Sequence, residues 1–146
     1  MRPETELFTY VECEPVLGIA SSMPYAPIKL GIGGKFVVVS ALIDSGAALN
    51  VLPHSVGLEL GAIWNQLAIP VRLSGNLGGL DARALIVTAT IGHFAPVRHA
   101  YAWTLDDQVP TILGQVNFFM EFNVCFFRSR SEFEIKPREL VSPAPT

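Results

Sequence analysis

The sequence predicts a mostly-β protein with one or two short helices, and three observations carry that expectation. Short Val- and Ile-rich runs recur along the chain, separated by Gly, Pro and Asp turn signals. Gly33-Gly34 stands between two such runs, where a tight hairpin turn needs positive φ. Only two stretches, after Pro53 and after Gly114, suit a helix, and both are brief. The 146 residues suit one compact domain, and at 50% hydrophobic they can fill a sizeable core.

In chain order, residues 1–26 are mixed and proline-punctuated, and are expected to form an N-terminal arm or an early edge strand. Pro27 to Ile43 reads as a hairpin, IKLGI and KFVVVSALI about the Gly33-Gly34 turn. The second run is apolar at nearly every position, which suggests burial on both faces. DSGAALNVLP is a loop re-entering a short apolar strand at Val51-Leu52. Pro53 then opens a short helix, HSVGLELG, that ends at Gly61. IPVRLSGNLGGLDARALIVTATI reads as two strands around a glycine-rich tip, Gly75 to Gly79. Val97–Thr104 is a further strand, with Asp106-Asp107 in a solvated loop behind it. VPTILGQVNFFMEF is a strand turning at Gly114 into a helix, and FNVCFFRSRSEFEIKP is a final hairpin with its turn near Ser129–Ser131. The proline-rich stretch 137–146 is expected to be a flexible tail.

Composition excludes several function classes. The formal charge is -3 and no Lys/Arg run appears, so no nucleic-acid surface is expected. The longest strongly apolar stretch, Phe36 to Ile43, falls far short of the ~20 residues that span a bilayer. The N-terminus has no continuous apolar region of the signal-peptide kind. A soluble, cytoplasmic protein without membrane partners is the expectation. Cys13 and Cys125 are expected to be free thiols. His54, His93 and His99 are scattered without metal-ligand spacing, so no metal and no cofactor is expected. No G-x-S-x-G is present, and Gly31-Ile32-Gly33-Gly34 lacks the ending of a phosphate loop. Trp64 and Trp103 read as isolated core or interface aromatics, and the pairs Phe118-Phe119 and Phe126-Phe127 as core.

The informative segment is Ala41-Leu42-Ile43-Asp44-Ser45-Gly46-Ala47. A carboxylate directly after a buried strand is costly unless hydrogen-bonded. Gly46 lets the backbone turn so that its N–H reaches the carboxylate, and the Ser45 hydroxyl is positioned to brace the loop. A plain Asx-type turn closing a strand would use the same residues.

D-S-G-A between apolar flanks, followed by the short strand Val51-Leu52, resembles the signature of the retropepsin-like aspartic peptidases. Thr111-Ile112-Leu113-Gly114 leading into Gln115–Phe119 resembles that family's late apolar strand, glycine and helix. The tip at Gly75–Gly79 lies where the family carries its flap. The resemblance covers roughly residues 27–136. It implies a closed β-barrel-like acid protease single lobe, acting as an aspartic endopeptidase on a peptide or protein substrate. Asp44 would be the catalytic residue, supported by Ser45, Gly46 and Ala47. Substrate would lie against Ala48, Leu49, Val51, Ile112 and the tip residues Gly75, Asn76, Leu77, Gly78 and Gly79. The chain departs from the pattern at Ala48 and Gln115, where many retroviral members carry an acid and an arginine that pair.

That chemistry needs two carboxylates sharing a proton about one water. The chain holds a single D-[ST]-G, so the second Asp44 is expected from another copy, in a C2 homodimer. The runs Leu7–Val11 and Phe122–Phe127 are the expected interface material. The alternative class is a peptide-binding or dimerisation module that keeps the fold with little or no proteolytic activity.

Overall fold

A computed structural model of the chain describes residues 5–139. The first strands are β1 (Glu6–Thr9), β2 (Val11–Val16), β3 (Ile19–Met23), β4 (Tyr25–Ile32) and β5 (Lys35–Ile43). They are followed by β6 (Val51–Leu52), helix α1 (His54–Glu59), β7 (Pro70–Val71), β8 (Ala82–Thr90) and β9 (Val97–Thr104). The chain continues through β10 (Thr111–Leu113), helix α2 (Phe118–Glu121), β11 (Phe122–Phe127) and β12 (Glu132–Pro137). Most of the expected 137–146 tail lies outside the described residues, while Pro137 itself ends β12.

Strands β4-β5-β10-β6-β9-β8 pair in that order, and β8 returns to β4 through Lys29↔Thr90, Leu30↔Ala89 and Gly31↔Thr88. The six strands therefore close a barrel, with β7 attached to the opposite end of β8. Closure leaves no free barrel edge along these residues. Two pairings are parallel, β5 with β10 and β6 with β9, and they join segments far apart in sequence. A second sheet, β1-β12-β11, covers the barrel with Phe133 and Ile135, and β2-β3 forms a separate ribbon.

Side chains alternate across a strand, and at β6, β9 and β10 both faces are buried for different reasons. Leu52, Tyr101, Trp103 and Leu113 point into the barrel core beside Ile28, Leu30, Leu85 and Val87. Val51, Ala102 and Ile112, the alternate residues, join a smaller cluster with Ala82 and Val109, against which Leu49, Leu73 and Leu77 pack. One set of strands thus separates the core from an apolar floor on the other side.

The structure corrects the expectation for β5. Phe36 and Val38 are 60% and 68% exposed, while Val37 and Val39 on the other face pack partly buried against the core and only Ala41 and Ile43 are fully buried. The outer face of that hairpin carries no covering layer, and Lys29 Nζ lies 4.4 Å from the Phe36 ring centre instead. Trp64 and Trp103 are not isolated. Their rings meet edge to face at 5.4 Å, and Trp103 stacks on His54 at 5.3 Å. Phe118 is core as expected, but Phe126 is exposed on β11.

Candidate active site

Asp44 follows β5 directly, where the parallel partner β10 ends. Its N–H donates to the Leu113 carbonyl at 3.0 Å, so the residue is fixed to the barrel wall. The side chain turns back on the loop, and Gly46 N–H donates to Asp44 Oδ1 at 2.9 Å. Ala47 N–H donates to the Asp44 carbonyl at 3.1 Å. This is Asx-turn geometry, and it coexists with a half-exposed carboxylate that lines a cleft. Ser45 braces the loop by another route than expected: its carbonyl, not its hydroxyl, accepts from Gln115 Nε2 at 2.8 Å. Gln115 thereby ties the aspartate loop to the segment after β10 without a charge pair.

The loop 44–50 and the segment 113–117 lie side by side. Gln115 N–H donates to Ala47 O at 2.9 Å, Val116 N–H to Ala48 O at 3.0 Å, and Asn50 N–H to Val116 O at 3.3 Å. Gly114 sits where a Cβ would come within 2.5 Å of Leu49 O and 2.8 Å of Ala47 O, so only glycine permits the approach. Asn50 is fully buried and joins three segments. Its Oδ1 accepts from Gly114 N–H at 2.8 Å, its Nδ2 donates to Ala100 O at 3.5 Å, and its carbonyl accepts from Ala102 N–H at 2.8 Å. Asn117 Oδ1 adds a bond from Ala100 N–H at 2.7 Å. Sequence reasoning passed over both asparagines. The available signal was a polar residue inside the apolar run Ala47–Pro53.

Above the loop, residues 72–81 form the hairpin tip. The tip is not a tight turn: Gly75–Leu77 curls into one turn of 3-10 helix, closed by Gly78 N–H to Gly75 O at 3.1 Å. Gly75 and Gly79 hold φ of +64° and +89°, which suit glycine. Tip and loop enclose a cleft of about 450 Å³. Asp44, Gly46, Ala47, Ala48, Leu49, Val51, Gly75, Asn76, Leu77 and Ile112 all line it. Gly79 borders the opposite side of the hairpin, and neither Gly78 nor Ser45 lines the cleft. Arg72, Leu73 and Ser74 line it in addition.

Other polar groups sit away from this cleft. His99 is buried in β9 and its pKa is pushed down by that burial, partly opposed by the Glu121 charge. Burial raises that of Tyr101. Neither His99 ring nitrogen nor the Tyr101 hydroxyl has a hydrogen-bond partner among the described residues. Asp106 and Asp107 do more than meet solvent. Asp107 Oδ1 accepts from Ser55 N–H at 2.7 Å at the start of α1, and bonds from Ser55 hold its pKa below the ordinary value. Cys13 and Cys125 are free thiols. Among the described residues no three His, Cys, Asp or Glu side chains converge as a metal site would require. No helix among them is long and apolar enough to cross a membrane.

No protein-family model and no curated protein matches the chain. Among solved structures it is similar to the crystal structure of a retropepsin-like aspartic protease from Rickettsia conorii, with a TM-score of 0.54 and 14% sequence identity. The match covers 94% of this chain and 96% of that one. At that identity the likeness is one of architecture, and the barrel, the aspartate loop and the covering sheet described above make this chain a single lobe of retropepsin-like fold.

Proposed function

We propose that the chain is one half of a homodimeric aspartic endopeptidase in which Asp44 of two copies forms the catalytic pair. The observation that carries this reading is the Asp44 carboxylate. It is held rigidly at the end of a barrel strand yet left half-exposed on the floor of an apolar cleft. A carboxylate whose only task is to close a turn has no need of that cleft.

In the proposed dimer the two Asp44 side chains meet on the twofold axis with one shared proton. Like charges in contact cannot both ionise, so the pair titrates as a unit. The ionised member takes a proton from water, the resulting hydroxide attacks the scissile carbonyl, and the protonated member donates to the carbonyl oxygen. Gly46 N–H stabilises the ionised oxygen. Substrate lies extended between the loop and residues 72–81, which act as the flap, its backbone bonded as an added strand. The enzymatic unit is residues 27–136, and the segment before it is joined through β1 paired with β12. Strands β1 and β11 are the outer strands of the covering sheet, and each offers a second copy an edge that is unpaired among the described residues.

Peptide-library cleavage by wild type and by Asp44→Asn tests the reading. Cleavage by wild type and its loss in Asp44→Asn, with melting temperature retained, is the expected result. Equal cleavage by both rules out the assignment. A wild-type chain that binds a tetrahedral-intermediate mimic or peptide without cleaving belongs instead to the peptide-binding class.

A further inference from the structure

Among the described residues Arg72 is the one cation lining the Asp44 cleft, and no fold contact among them accounts for it. The other lining side chains are apolar, apart from Asp44 itself, Ser74 and Asn76. Arg72 leaves β7 at the base of the tip, is exposed, and makes no hydrogen bond or ion pair among the described residues. Arg83 on the facing strand shows what a structural arginine looks like in the same hairpin. Its Nη1 donates to Trp64 O at 2.6 Å and Leu67 O at 3.0 Å, and its guanidinium lies 4.6 Å from the Trp64 ring centre. The charge of Arg83 is consumed by the fold, whereas that of Arg72 is not.

We propose that Arg72 is a specificity-determining residue that selects a carboxylate side chain in the peptide. This rests on the peptidase reading of the cleft and adds the substrate class to it. Guanidinium binds carboxylate through two parallel N–H donors, a match that a neutral amide does not reproduce. Asp44 lines the same cleft, but among the described residues no ion pair or hydrogen bond joins it to Arg72. Asp81 borders a neighbouring groove together with Arg72, and no ion pair joins those two among the described residues either.

The arrangement fixes the substrate pattern. The apolar lining, Leu49, Val51 and Ile112 below and Leu77 on the tip, takes apolar side chains at the scissile bond. An extended peptide advances about 3.3 Å per residue with alternating side chains, so Arg72 at the cleft's rim meets a residue further out. In a twofold dimer each copy supplies one Arg72, so the acidic preference falls at two positions placed symmetrically about the cut.

The test uses the full chain and decapeptide libraries, followed by synthetic pairs that differ only by Glu against Gln at one position. For wild type, the Glu/Gln ratio of kcat/KM should reach between about 2-fold and about 5-fold, the scale of an exposed ion pair. It should do so at two symmetric positions and shrink as salt is added. The ratio should fall to about one in Arg72→Gln, survive in Arg72→Lys, and invert in Arg72→Glu. The same ratio in wild type and Arg72→Gln overturns the proposal while leaving the peptidase reading intact. If no peptide is cut, the peptidase reading fails, and the Glu and Gln peptides are compared by fluorescence anisotropy. An Arg72-dependent difference in Kd then supports the carboxylate subsite, and its absence overturns it.

Discussion

Replacing Gly114 with alanine should damage stability and catalysis together, and the structure sets the scale. The new Cβ would stand 2.5 Å from Leu49 O, 2.8 Å from Ala47 O and 2.8 Å from the Leu49 carbonyl carbon. All three are main-chain atoms, so no side chain can swing aside. Restoring ordinary contact requires the two segments to part by about 0.5–1 Å. The bonds from Gln115 N–H to Ala47 O (2.9 Å) and from Val116 N–H to Ala48 O (3.0 Å) would stretch to the limit of hydrogen bonding. Weakening two such bonds costs about 1 kcal/mol each, and overpacking adds ~1–3 kcal/mol. A loss of roughly 3–5 kcal/mol is expected by urea denaturation at fixed chain concentration. Cleavage should fall even at temperatures where the variant is folded, because Asp44 and Gly46 ride on the displaced loop. Gly34→Ala, where nothing lies within 4 Å of the added methyl, is the control and should change little. A Gly114→Ala protein within about 0.5 kcal/mol of wild type, with cleavage intact, would refute the argument that this close approach builds the site.

Two further outcomes follow from buried polar groups. Asn50→Leu keeps the branched heavy-atom shape but strands the Gly114 N–H and Ala100 carbonyl, so it should cost at least about 1–3 kcal/mol by denaturant titration. His99 has a folded-state pKa lowered from 6.5 by burial, so below that pH the unfolded chain binds a proton that the folded chain refuses. Its contribution is therefore present above about pH 6.5 and lost as pH falls toward the folded value. His99→Leu should flatten the decline in stability between about pH 7 and about pH 5 in pH-resolved melting curves, and an unchanged slope would show that another group sets it.

Local pattern made much of the fold legible. The Gly33-Gly34 hairpin, the strand Val97–Thr104 and the turn at Gly114 follow from residues adjacent in sequence, and they stand where the pattern put them. The features that escaped depend on what packs against what. A Val-rich strand reads alike whether or not its outer face is covered, so the exposure of Phe36 and Val38 was invisible. Residues 1–26 read as an arm or an early edge strand, and the β2-β3 ribbon within them turns on Leu17-Gly18, a weak local signal. For the candidate site, the cleft residues near Asp44 were readable because a motif carries them. Asn50 was not, because its partners lie 50 and 64 residues away. The exposure and free charge of Arg72 depend on how the hairpin curls, which Gly75 and Gly79 permit but do not specify.

The parallel pairing of β5 with β10 also governs when the site can exist. Ser45 and Gln115 are 70 residues apart, and the loop bearing Asp44 has no wall to lean on until β10 has been made and docked. Long-range pairings form late because chain entropy must be spent before contacts return it. A nascent chain that has emerged only through the hairpin tip therefore carries Asp44, its loop and the tip, but neither Ile112 of the cleft nor Gln115 that ties the loop down. Synthesis from the N-terminus thus delays assembly of the Asp44 cleft until β10 docks and the barrel closes.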